Sequence, residues 1–166
     1  YWAAGIWPSE GIFIYAMDAA TGKVLWCNDS SGGIYMAQPH PGAYAKSGVS
    51  AQGDLVVDGE HLLVPTGRAV PAVFDRRDGK LLYFQLAKNP KYGGADSVGA
   101  GAHFFNGGCV VDSATGANQA NLRTQPRTIC VAPGKVIMAA KQKLLVVDPE
   151  RMLKYRKAVD RRGKPI

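Results

Sequence analysis

An all-β chain made of one antiparallel sheet repeated several times is what this sequence predicts, and three observations predict it. Short apolar runs rich in β-formers alternate with tight-turn sequences along the chain. One strand–turn–strand device, complete in Ala16-Met17-Asp18-Ala19-Ala20-Thr21-Gly22-Lys23-Val24-Leu25-Trp26, returns three more times. The aspartates that open its turns, Asp18, Asp75, Asp112 and Asp148, are 57, 37 and 36 residues apart, so the unit is about 36 residues long, the length of a propeller blade or a similar array unit.

The first copy sets the pattern. Ile12 to Met17 and Lys23 to Trp26 read as strands, Asp18 and Thr21 bond the turn backbone with their side chains, and Gly22 reverses the chain. Trp26 falls at the end of the outer strand, placed to cover a neighbouring repeat. In the second copy Asp75 and Gly79 hold the turn and Tyr83 stands where Trp26 stood. The third keeps Asp112, Thr115 and Gly116, but its closing strand, starting Ala117-Asn118-Gln119-Ala120, is polar. The fourth keeps Asp148 and has lost the glycine.

Ala16, Asp18, Thr21, Gly22 and Trp26 resemble the tryptophan-docking repeat of quinoprotein-type (PQQ-like) β-propellers, which include quinone-dependent alcohol dehydrogenases and BamB-type outer-membrane assembly lipoproteins. The resemblance implies a partial β-propeller of four-stranded antiparallel blades. Blade 1 would cover about 1–29, blade 2 about 51–88, blade 3 about 95–125 and blade 4 about 127–158, with an inserted loop at about 30–50. It also implies an exported, periplasmic bacterial setting and, as partners, further blades of the same propeller. The chain opens inside a strand and shows no leader and no run long enough to span a membrane.

Within blade 2, Gly53 to Gly59, His61 to Thr66, Ala72 to Asp75 and Lys80 to Leu86 read as four strands, with Asp58-Gly59 a hairpin turn. In blade 3, Ser97 to Ala102 reads as an inner strand of small residues suited to a crowded axis. The last unit reads as a three-strand meander over Thr128 to Ala132, Gly134 to Ala140 and Lys143 to Asp148. Arg151 to Lys164 is expected to be a solvated outer strand and linker. The insertion, rich in Gly, Pro and polar residues, is expected to be neither helix nor regular strand. In the loop before the second strand, Trp7 and Glu10 read as an aromatic covering the loop and a solvated acid.

Composition narrows function. Residues 151–166 hold seven Lys or Arg against one Asp and so carry +6 of the net charge of +7. The body is close to neutral, and no basic stripe interleaved with aromatics predicts nucleic-acid binding. Cys27, Cys109 and Cys130 lack metal-ligand or disulfide spacing and read as buried thiols. His40, His61 and His103 are scattered and read as loop or strand-end residues, and no metal set is expected.

Resemblance to the dehydrogenases would call for an adjacent Cys pair, a Glu/Asn/Asp calcium set and a catalytic Asp. No adjacent cysteines occur, and the four repeat aspartates are already explained by their turns. Bound PQQ with calcium is therefore expected only in the alternative reading, a quinoprotein dehydrogenase whose cofactor site lies mostly in other blades. The favoured expectation is a non-catalytic binding or scaffolding surface for a protein or small-molecule partner. Long insertions concentrate function, so the candidate surface is the inserted loop, with His40, Tyr44 and Lys46, together with Arg68, a cation on an otherwise apolar connection.

Overall fold

The computed structural model describes residues 1–67, 70–86 and 93–157, with the side chains of 155–157 left aside. Its strands form four successive antiparallel meanders. The first is β1 (Trp2–Ala4), β2 (Phe13–Met17) and β3 (Val24–Asn28). A two-stranded hairpin follows, β4 (Ile34–Ala37) and β5 (Tyr44–Ser47). The second meander has four strands, β6 (Val56–Asp58), β7 (His61–Val64), β8 (Val70–Asp75) and β9 (Leu81–Gln85). So has the third, with β10 (Ser97–Ala100), β11 (His103–Asn106), β12 (Cys109–Asp112) and β13 (Asn118–Asn121). The fourth has β14 (Thr128–Ala132), β15 (Lys135–Ala140) and β16 (Lys143–Val147), followed by one helix, α1 (Pro149–Lys157).

Each inner sheet is buried on both faces, which is why its strands read as unbroken apolar runs rather than alternating ones. Leu62, Val64, Ala72 and Phe74 face the first sheet and pack with Ile14 and Val49. Their chain neighbours Leu63 and Val73 face the third sheet and pack with Phe104, Cys109 and Val111. Phe105 and Val110, one residue away again, meet Val136, Met138 and Leu153 on the far side. Three apolar layers thus alternate with four sheets, since successive side chains of a strand point to opposite faces. The first strands of the later sheets adjoin, β10 lying beside both β6 and β14. Close approach there needs a glycine: a Cβ on Gly99 would overlap the side chain of Asp58.

Four expectations are corrected. The insertion is not irregular, because its Gly and Pro residues are gathered outside the strands and leave Ile34 to Ala37 and Tyr44 to Ser47 free to pair. Its loop is closed by Gln38 N–H to Ala43 O at 2.9 Å and Ala43 N–H to His40 O at 3.1 Å. The segment from Arg151 starts as helix, not as an outer strand. Without a glycine after Asp148 the chain does not reverse. Instead Pro149 takes the first helical position, which needs no N–H, and Asp148 Oδ1 accepts the Arg151 N–H at 3.0 Å. The rest of that segment, 158–164, lies outside the described residues. Of the three cysteines only Cys109 is buried, whereas Cys27 and Cys130 lie on outward sheet faces and are exposed. Trp7 is 63% exposed rather than packed over its loop.

Candidate functional site

The first three repeat aspartates sit at equivalent turns, each solving the same problem of satisfying a reversed backbone, whereas Asp148 caps the start of α1. Asp18 Oδ1 accepts from the N–H groups of Ala20 and Thr21 at 3.1 and 2.8 Å and from the Thr21 hydroxyl at 2.7 Å. Asp112 repeats this with Ala114, Thr115 and the Thr115 hydroxyl at 3.1, 2.9 and 2.8 Å. In both, the threonine hydroxyl and then the backbone donors hold the carboxyl below its usual range. Where the second copy lacks threonine, Arg77 substitutes with its own N–H and guanidinium, and Asp75 is lowered further.

On these turns the outer strand of the preceding sheet docks. Trp26 lies flat against Gly79, and its indole N–H donates to the Arg76 carbonyl at 3.0 Å. Tyr83 lies against Gly116, and its hydroxyl donates to the Ser113 carbonyl at 2.9 Å. Arg76 and Ser113 are the same turn position, one residue after the aspartate. Asn28 adds a second clamp, donating to the Gly79 carbonyl at 2.8 Å while its Oδ1 accepts from the Ser31 N–H and hydroxyl. The third sheet breaks the series on both sides of the contact at once. The position matching Trp26 and Tyr83 is Ala120, which is buried with Leu153 of the helix that replaces the fourth turn.

The turns frame a cleft of about 700 Å3 between the third and fourth sheets, walled by Asp58, His103, Lys135, Asp148 and Glu150. Its floor follows a cross-strand pairing invisible in the sequence. In the second and third sheets the residue that opens the second strand is a histidine that pairs in register with the repeat aspartate, His61 with Asp75 and His103 with Asp112. In the fourth sheet the second strand opens on Lys135, whose side chain bonds Asp148 just after the next strand. Lys135 Nζ donates to Asp148 Oδ2 at 2.8 Å and holds that carboxyl low. The His103 Nδ1 atom is sequestered without a partner among the described residues. These bases escape a reading of spacing because loops of unequal length separate them from their aspartates. Only the common start-of-strand position marks them.

The inserted hairpin carries three of the four predicted surface residues. Tyr44 and Lys46 share one face of β5, Tyr35 lies opposite Lys46 on the same face, and His40 is in the connecting loop. Tyr35 and Tyr44 stack with ring centroids 5.9 Å apart and remain 68% and 61% exposed. Lys46 also borders a shallow recess with Pro8, Ser9 and Gly33. The two ends of the hairpin are tied to each other by Val49 N–H to Ser31 O at 3.0 Å and by close backbone approach of Gly48 to Gly32, and Gly32 in turn packs against Ile12, the residue before β2. Arg68 lies outside the described residues.

The turn-face cleft does not fit a quinone carrying several carboxylates. Asp58, Asp148 and Glu150 line it, and its lysine is already engaged by Asp148, so it would repel such an anion. Among the described residues no group of three His, Cys, Asp or Glu is placed to hold a metal ion, and no helix is long and apolar enough to cross a membrane.

No family model matches the sequence, and no curated protein is similar to it in sequence. Among solved structures, the chain is similar to the crystal structure of BamB from Moraxella catarrhalis, with a TM-score of 0.56 at 13% identity over 82% of this chain. It spans only 36% of that chain's length. Successive antiparallel sheets stacked face to face, Trp26 and Tyr83 docked on the turns of the second and third sheets, and this likeness together make the fold that of a partial β-propeller.

Proposed function

We propose that this chain is a non-catalytic binding or scaffolding segment of a β-propeller in an exported bacterial protein, and that the β4–β5 hairpin is its partner surface. One observation carries the reading. Two tyrosines stack in the open on a hairpin that belongs to none of the blade sheets. Aromatic rings with a polar tip are the side chains most enriched at binding hot spots, and Lys46 beside them supplies a steering charge. Further blades covering the outer sheet faces are the other partners this reading includes.

The test is a comparison of the wild type with Tyr35→Ser/Tyr44→Ser, using each as bait in periplasmic extract and then measuring affinity for the purified partner. The reading expects a partner whose affinity falls at least tenfold in the double variant while thermal stability is kept. A partner bound equally by both, or none, would refute the hairpin as the surface. Titration with pyrroloquinoline quinone and calcium, with dye-linked alcohol oxidation as readout, checks the dehydrogenase alternative. Stoichiometric quinone binding would replace this proposal by an oxidoreductase.

A further inference from the structure

At the opposite end of the fourth sheet from the aspartate turns, a second cleft of about 720 Å3 is lined by Arg123, Arg127, Lys141 and Lys143. Among the described residues no acid lines it. The sequence contributes to this directly, since no Asp or Glu occurs between Asp112 and Asp148. None of the four cations forms an ion pair among the described residues. Neutral donors stand among them in Thr124, Gln125 and Gln142, and Leu122 and Leu145, which pack on the adjoining core, give the cleft an apolar side.

The backbone supplies an independent observation. Among the described residues, Arg123 at φ +53° and Lys141 at φ +50° are the non-glycine residues in the left-handed region, and both line this cleft. The third sheet shows what the turn at Lys141 ordinarily uses. There the equivalent two-residue connection, between Asn106 and Cys109, is Gly107-Gly108, with Gly107 at φ +55°. In the fourth sheet the same connection, between Ala140 and Lys143, is Lys141-Gln142. A lysine thus occupies a conformation that favours glycine. Strain of this kind concentrates where side-chain chemistry is needed.

We propose that this cleft is an anion site for a phosphate-bearing ligand. Four cations without a carboxylate match a group with several charged oxygens, whereas a single carboxylate would leave most of that charge unmatched. Two guanidiniums offer paired donors to phosphate oxygens, and two ammoniums add point charges. The apolar side at Leu122 and Leu145 suits a ligand whose phosphate is joined to a hydrocarbon portion, such as a lipid headgroup, while the cations alone would take a soluble phosphoanion.

The test uses the purified protein with inorganic pyrophosphate, followed by calorimetry, and with phosphatidylglycerol and phosphatidylcholine vesicles, followed by co-sedimentation. The proposal expects saturable binding of pyrophosphate or of the anionic vesicles. It expects Arg127→Gln/Lys143→Gln to weaken that binding at least tenfold, with the circular dichroism spectrum unchanged. Lys141→Gly is the second variant, expected to weaken binding and at the same time to raise Tm, because it removes a charge and relieves the turn. Binding of pyrophosphate without vesicle binding assigns a soluble ligand, and vesicle binding displaced by pyrophosphate assigns a headgroup. No binding of either probe, or binding unchanged in the double variant, overturns the proposal, as does a Lys141→Gly protein that gains stability and binds as tightly as wild type.

Discussion

Replacing Gly79 by alanine would place a methyl group where Trp26 already is: the new Cβ would overlap Cε3 of that ring and stand 2.8 Å from its Cδ2. Two costs add. The position has φ +74°, which costs a side chain roughly 1 kcal/mol, and overpacking a filled contact costs about 1–3 kcal/mol, so Gly79→Ala should destabilise by about 2–4 kcal/mol. Gly22 provides the control within the same chain. It occupies the same turn position at φ +71° with nothing within 4 Å of its Cβ, so Gly22→Ala should cost only about 1 kcal/mol. Trp26→Ala removes a large but part-exposed ring and its bond to the Arg76 carbonyl, a loss of about 2–4 kcal/mol. In the double variant the added methyl group has nothing to strike. Urea unfolding followed by far-UV circular dichroism should therefore show the two changes non-additive, with a coupling of about 1–3 kcal/mol. Strict additivity, or a Gly22→Ala as costly as Gly79→Ala, would refute the account of these turns as docking sockets.

Other expectations follow from the same geometry. The carboxyls of Asp18, Asp75 and Asp112 are held below their usual range, so their contribution is present above the unfolded value near pH 4 and lost as pH falls below it. The urea midpoint should drop on acidification below about pH 4, and Asp112→Asn should flatten that limb of the curve. Tyr83 titrates above its ordinary value, through burial first and the nearby Asp112 second. Its stabilisation is therefore intact below about pH 10 and lost at higher pH. Tyr83→Phe should flatten the alkaline limb and cost about 0.5–1.5 kcal/mol at neutral pH through the bond to Ser113, a Tm decrease of about 1–6 °C for a chain of this size. Gly99→Ala would press a methyl group onto Asp58 and should cost about 1–3 kcal/mol, read in the same unfolding assay.

The local grammar of the repeat is written in the order of the residues alone. Asp, Thr and Gly at fixed offsets encode a turn because their side chains and backbone freedom act within a few residues, and the strands of the inner sheets announce themselves by apolar runs such as Ala72-Val73-Phe74. Whatever depends on which residue meets which across the fold emerges only once the sheets have packed. The partners of three repeat aspartates, His61, His103 and Lys135, come from a neighbouring strand at unequal sequence distances, so only the folded pairing could find them. Composition misjudged the insertion because punctuation by Gly and Pro was averaged over the stretch instead of being assigned to a loop between two pairing segments. Charge was misleading for the same reason. Counted by segment it drew attention to the residues from Arg151 on, whereas folding gathers Arg123 and Arg127 from one loop, Lys141 from a turn and Lys143 from the start of β16 into one cleft of a nearly neutral body. Net charge sums over a segment regardless of position, but the electrostatic potential of a site depends on distances that only the packed sheets set.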